Sequence, residues 1–192
     1  MFYTPKIQKA IKFANKVHQV DQDQRRKGKK DPYIIHPLAV GLILSQTGAT
    51  EDIIVAGILH DTIEDCMPWG SITKEVIEKE FNSEIARMVN DVTEQDKSLS
   101  WKERKKAAFD HIKHMDKDSI MVKSADVLQN LNDQIVDYEE LGEEMFKRFN
   151  ASKEKQLKRY QNLLIELEKA YPENPLLQEL RAAVGKITVL WK

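Results

Sequence analysis

A chain of 192 residues, with 30 Lys and Arg against 31 Asp and Glu, 41% apolar and 32% charged, has the size of one domain or two small ones, which excludes a multidomain machine. A net charge of -1 denies it the broad positive field that non-specific nucleic-acid binding requires, so nucleic acid is not an expected partner. The longest apolar run, Ile53 to Leu59, falls far short of the ~20 residues that cross a bilayer, so no membrane partner is expected either. The lone cysteine, Cys66, has no mate for an internal disulfide, and Met1 to Pro5 lack the basic and apolar regions of a secretion signal. A cytoplasmic location is expected.

Few glycines and prolines, with abundant Leu, Lys, Glu, Ile and Ala, favour helix, and no segment has convincing strand character. Thr4-Pro5 starts a first helix whose stripe is Ile7, Ala10, Ile11, Ala14 and Val17, expected to end near His18. Asp21 to Asp31 is polar and basic around Gly28 and suits a loop. Pro37 opens a second helix, with Leu38, Val40, Leu42 and Leu44. Thr50 can cap a third, whose residues Ile53 to Leu59 are apolar on every side and therefore belong in the core. After a loop at Cys66 to Gly70, short helices are expected around Thr73 to Glu80, ended by Asn82, and around Glu84 to Val92. Ser100 and Glu103 form an S-x-x-E capping box before a helix from Trp101 to about His114, and another should cover Ser119 to Val136. Leu157, Tyr160, Leu164, Leu167 and Tyr171 recur at helical spacing until Pro172, and Asn174-Pro175 opens a last helix. With no repeat or linker, the expectation is a single all-α domain over 1–192.

The chemistry-bearing feature is LHDTIED, where His60, Asp61, Glu64 and Asp65 follow a fully apolar run. In helical geometry these residues crowd one side of a helix end, and acids there oppose the helix dipole. A bound cation resolves that conflict, since imidazole nitrogen and carboxylate oxygen are good ligands for Mn²⁺, Fe²⁺ or Zn²⁺. A single His-Asp pair is weak support, because a lone imidazole easily finds a backbone partner. Two more segments can add ligands. PYIIHP places His36 at a Pro-initiated helix, and VKSADVLQNL places Asp126 in an apolar helix with Asn130 one turn on. His111 and His114 have no further ligand cluster and suit an exposed helix face, and His18 suits a structural role.

His36, His60-Asp61 and Asp126 together resemble the H...HD...D signature of the HD-domain phosphohydrolases, an all-helical fold holding one divalent metal. RRK before PYIIHPLAV, LHDTIED, Val92-Thr93 and VKSADVLQNL are similar in order and spacing to the hydrolase domain of RelA/SpoT-type proteins, most of all to the stand-alone small alarmone hydrolases that remove the 3′-pyrophosphate of ppGpp and pppGpp with Mn²⁺. The likeness spans Ile7 to Ile135; the helical extension over 137–192 is less distinctive.

The resemblance implies that His36, His60, Asp61 and Asp126 hold Mn²⁺, that Glu64 and Asp65 are the catalytic acidic pair, and that Arg26, Lys27 and Asn130 contact the nucleotide. It implies a role in the stringent response and leaves oligomeric state open. Asn132 stands where alarmone hydrolases often carry an Arg, and the chain has no room for a synthetase domain. Two alternatives stay open: an HD phosphohydrolase of another nucleotide or phosphorylated metabolite, and a non-catalytic helical ligand-binding or regulatory module.

Overall fold

The computed structural model describes residues 3–94 and 101–192, and only the backbone of 101, 102, 104 and 105. Met1 and Phe2 of the opening stretch and Ser100 of the capping box lie outside the described residues. Helix α1 (Pro5–Asn15) starts where Thr4 Oγ1 accepts the Ile7 N–H at 3.2 Å, a cap worth about 1 kcal/mol. It runs into a π-helical turn, Lys16–Val20, so the winding carries past His18. Helix α2 (Ile35–Ser45) begins two residues before Pro37, which sits in the first turn where a missing N–H costs nothing.

Helix α3 (Glu51–Leu59) is capped by Thr50, and Ile53 to Leu59 are all buried. It stops at Leu59, short of the acidic segment that helical spacing alone would include. Residues 60–65 continue as turns, with Asp65 N–H bonded to Asp61 O at 2.9 Å. Carboxylates next to the negative end of the helix dipole account for the loss of regular helix there.

Helices α4 (Lys74–Glu80) and α5 (Ser83–Val92) match the two expected short helices, but Asn82 starts the second instead of ending the first: its Oδ1 accepts the Ile85 N–H at 2.8 Å. Helix α6 covers Trp101–Ile112. Helix α7 (Lys117–Leu141) exceeds its expected length at both ends, from an Asp116 cap to Gly142, whose φ of 56° turns the chain into a 3-10 segment, Gly142–Arg148. Helices α8 (Lys153–Ala170) and α9 (Leu177–Leu190) follow. Among the described residues there is no strand beyond one isolated bridge between Arg25 and Pro32, so the fold is all-α.

One apolar core joins all of this. It contains Ile54, Leu59 and Val89 from the first half and Leu163, Leu180, Ile187 and Trp191 from the C-terminal helices. The short connection 46–50 folds α3 back along α2, and both pack on α7. Their approach is close because Gly57 faces Leu44 and Gly41 faces Ile58; a Cβ on either glycine would overlap its neighbour. The N-terminus of α2 thereby meets the C-terminus of α3, and His36 meets His60 from 24 residues away.

Candidate metal and nucleotide site

His36 and His60 are 1% and 3% exposed, and each ring is fixed by its Nδ1. His36 Nδ1 donates to Gln129 Oε1 at 2.5 Å, and His60 Nδ1 donates to Gly57 O at 2.8 Å. In a neutral imidazole that places the Nε2 lone pairs in the opposite direction. The two Nε2 atoms face one another at 3.1 Å. Asp61 Oδ2 lies 3.4 Å from His36 Nε2 and 3.0 Å from His60 Nε2, and Asp126 Oδ1 lies 3.5 and 3.8 Å from the same atoms. Ligand atoms of His36, His60 and Asp126 all fall within 4.8 Å of one another, and Asp61 joins through the two imidazoles.

Four lone-pair atoms converging in a buried place repel each other unless positive charge is supplied. A proton on His36 is one supply: burial disfavours the imidazolium, but Asp126 and Asp61 outweigh it and push His36 up to about 9. The same histidines, with Lys123 beside Asp126, hold both aspartates below the usual carboxylate range against the opposing effect of burial. A divalent cation answers the same electrostatic demand with N and O donors that suit it, so the residues present fit a metal.

The supports of these side chains follow a pattern. Tyr33 Oη donates to Asp61 Oδ2 at 2.6 Å. Lys123 Nζ sits 2.8 Å from Asp126 Oδ2, while Asn130 Nδ2 donates to Asp126 Oδ1 at 2.6 Å. On α7, Asp126, Gln129 or Asn130, Asp133 and Asp137 recur every three or four residues and form one polar stripe on a helix whose middle is largely buried. Facing that stripe, Arg26 donates to Asn130 Oδ1 at 2.8 Å and pairs with Asp133 at 3.0 Å. Lys29 and Arg148 both pair with Asp137.

Of the residues singled out in the sequence, His36, His60, Asp61, Asp126, Asn130 and Arg26 are therefore connected side chain to side chain. Lys27 lines a cavity of about 230 Å³ together with Asp126 and Asn130. Glu64 and Asp65 do not line it; they follow Asp61 in the turn. Burial raises Glu64 to about 7, helped by Asp61 and Glu94. Asp65 Oδ2 accepts from Gln24 Nε2 at 2.9 Å, and Gln24 Oε1 meets His18 Nδ1 at 2.7 Å. Arg25 turns away to pair with Asp23, Asn132 is exposed, and so are His111 and His114. Residues not anticipated are Lys123, Gln129, Asp133 and Asp137. The spacing of the α7 stripe was the signal that could have revealed the last three.

The HD domain family matches residues 10–154. The chain belongs to the HD domain family. Within it, the chain is 40% identical over 129 residues to the guanosine-3′,5′-bis(diphosphate) 3′-pyrophosphohydrolase MESH1 of Xenopus tropicalis, covering 66% of this chain and 68% of the relative. It is 36% identical over 126 residues to the human protein of that name, covering 65% and 66%. A long Vibrio cholerae guanosine-3′,5′-bis(diphosphate) 3′-pyrophosphohydrolase matches over 107 residues at 36% identity, only 14% of its length. Among solved structures, a metazoan ortholog of SpoT superposes with a TM-score of 0.76 over 95% of this chain and 96% of that one, at 23% identity, which speaks to the fold. A Listeria monocytogenes protein superposes with a TM-score of 0.70 at 26% identity, covering 85% and 100%. For this HD-domain chain, the matched stretch thus includes every member of the His-Asp centre.

Proposed function

We infer that the protein is a metal-dependent guanosine-3′,5′-bis(diphosphate) 3′-pyrophosphohydrolase, a cytoplasmic enzyme of the stringent response built as a single domain over 1–192. The observation that carries this reading is the buried set of four converging lone-pair atoms from His36, His60, Asp61 and Asp126, in a chain 40% identical to a relative named for that activity.

In this reading those four side chains hold the ion, Mn²⁺. When bound, it supplies Lewis acidity toward a phosphoryl oxygen and a lowered pKa for water. The chain's own residues do the rest. The reaction forms a bond between water oxygen and the phosphorus attached to the ribose 3′-oxygen. It breaks the bond from that phosphorus to the 3′-oxygen, and pyrophosphate leaves. A proton must leave the water and another must reach the departing oxygen. Glu64, held near 7, exchanges protons at neutral pH more readily than an ordinary carboxylate, which suits it to one of these transfers. Asp65, fixed by Gln24, is its partner in orienting water. Lys27 neutralises substrate phosphate, Asn130 contacts the nucleotide, and Arg26 stacks against the base while Asp133 fixes its guanidinium.

Protein loaded with Mn²⁺ and incubated with ppGpp should release GDP and pyrophosphate, and both Asp61→Ala and chelator should abolish the release. Intact ppGpp after incubation with folded, loaded protein overturns the reading. Release from a different phosphorylated nucleotide in a matched panel would assign the site to that substrate instead.

A further inference from the structure

Around the polar stripe of α7 most cations are spoken for: Arg26 pairs with Asp133, Lys29 and Arg148 with Asp137, Lys123 with Asp126, and Lys153 with Glu143. Three are not. Lys27, Lys155 and Arg159 have no carboxylate partner among the described residues, and all three line the same cavity of about 230 Å³. Lys155 and Arg159 stand four apart on the first turns of α8, so they share one face of that helix. Asp126 is the sole carboxylate in the lining, and Lys123 and His36 already engage it. The hollow is therefore electropositive, and the positive end of the α8 dipole, opening at Ser152 next to the lining residues Asn150 and Ala151, adds to that. Its volume is below the roughly 300–1,000 Å³ that takes a whole drug-sized ligand, so it suits one anionic end of a nucleotide.

We propose that Lys155 and Arg159 form, with Lys27, a subsite for the 5′-diphosphate of the substrate. This rests on the hydrolase reading above. The 3′-pyrophosphate must sit at the His-Asp centre, and Asp126 is a wall common to that centre and the hollow. The phosphates at the other end of the nucleoside are then the anion within reach. Helix α8 thereby sets preference for nucleotides that carry a charged 5′ end, and does so through binding, since its cations hold the end of the nucleotide opposite the one that reacts.

The test measures binding of GDP and of guanosine by calorimetry in the presence of chelator, on the full chain and on Lys155→Gln/Arg159→Gln, with Lys155→Gln alone and Lys158→Gln for comparison. Lys158 is exposed and outside the lining. The unaltered protein should bind GDP at least about tenfold more tightly than guanosine, and added salt should erode that advantage. The double variant should lose about tenfold of it, the single variant part, and Lys158→Gln none. In turnover the double variant should raise KM for ppGpp about tenfold with kcat held within twofold. Equal binding of GDP and guanosine by the unaltered protein, or an advantage retained in a folded double variant, overturns the subsite. A protein that prefers GDP in this way yet leaves ppGpp intact supports the subsite and overturns the hydrolase reading alone.

Discussion

His36 Nδ1 and Gln129 Oε1 lie 2.5 Å apart, and this bond decides which edge of the imidazole carries a lone pair. Partners that orient a ligand in this way typically govern metal affinity by about 10–100-fold when removed. Gln129→Leu should therefore weaken Mn²⁺ binding by roughly that factor in a calorimetric titration while leaving the circular dichroism spectrum intact. Unchanged affinity in the folded variant would show that packing alone orients the ring.

A close approach of α2 and α3 brings the two histidines together. Gly57 faces Leu44, and its carbonyl accepts the His60 Nδ1–H. Gly57→Ala should cost about 1–3 kcal/mol in urea denaturation, because an added methyl must displace a buried side chain. Adding Leu44→Ala makes room, so the double variant should lose less than the two single losses combined. Strict additivity would mean that α2 and α3 shift apart without strain.

How far the sequence discloses such relationships depends on whether the cause is local. Thr4 and Thr50 act as caps where expected, because a hydroxyl three residues before a free N–H meets a local requirement. His36, His60-Asp61 and Asp126 stand out because three polar segments break apolar stretches and together resemble the H...HD...D signature, and the structure does bring them together. Sequence alone puts Asn82 at the wrong helix end, because asparagine suits both ends and only the extended backbone at that residue makes it the cap of α5. Lys155 and Arg159 were invisible as a pair with Lys27, since nothing local announces that α8 packs beside a loop more than 120 residues earlier.

Stability should depend on pH through Asp116, which caps α7 by accepting the Ser119 N–H at 2.8 Å and pairs with Arg87 at 2.6 Å. Burial alone would raise its pKa, but the Ser119 bonds and Arg87 outweigh it and hold the carboxyl below its usual 3.8. The unfolded chain therefore binds the proton more tightly. The resulting stabilisation is complete above pH 3.8 and is lost as pH falls through the lower, folded value. Asp116→Asn keeps a capping oxygen and removes the charge. It should cost about 0.2–1 kcal/mol at pH 7, and the difference from the unaltered protein should shrink steadily in urea denaturation as pH falls below 3.8. A gap that stays constant as pH falls below 3.8 would assign the effect to capping geometry.

Asp137 is 5% exposed and holds two cations from different parts of the chain, Lys29 of the basic loop and Arg148 of the 3-10 segment. Gly28, at φ +72°, lets the loop backbone lie against the Arg148 side chain. This clasp fixes the loop that carries Arg26 and Lys27 but touches none of the His-Asp centre. Removing one member of a buried ionic group leaves its partners uncompensated, so Asp137→Asn should lower stability on the order of 3 kcal/mol. It should also raise KM for ppGpp several-fold with little change in kcat, because a loosened loop costs binding and leaves the reacting groups in place. A fall in kcat at constant KM would instead place the consequence of the clasp at α7 and Asp126, so the kinetic split decides which end of the network Asp137 serves.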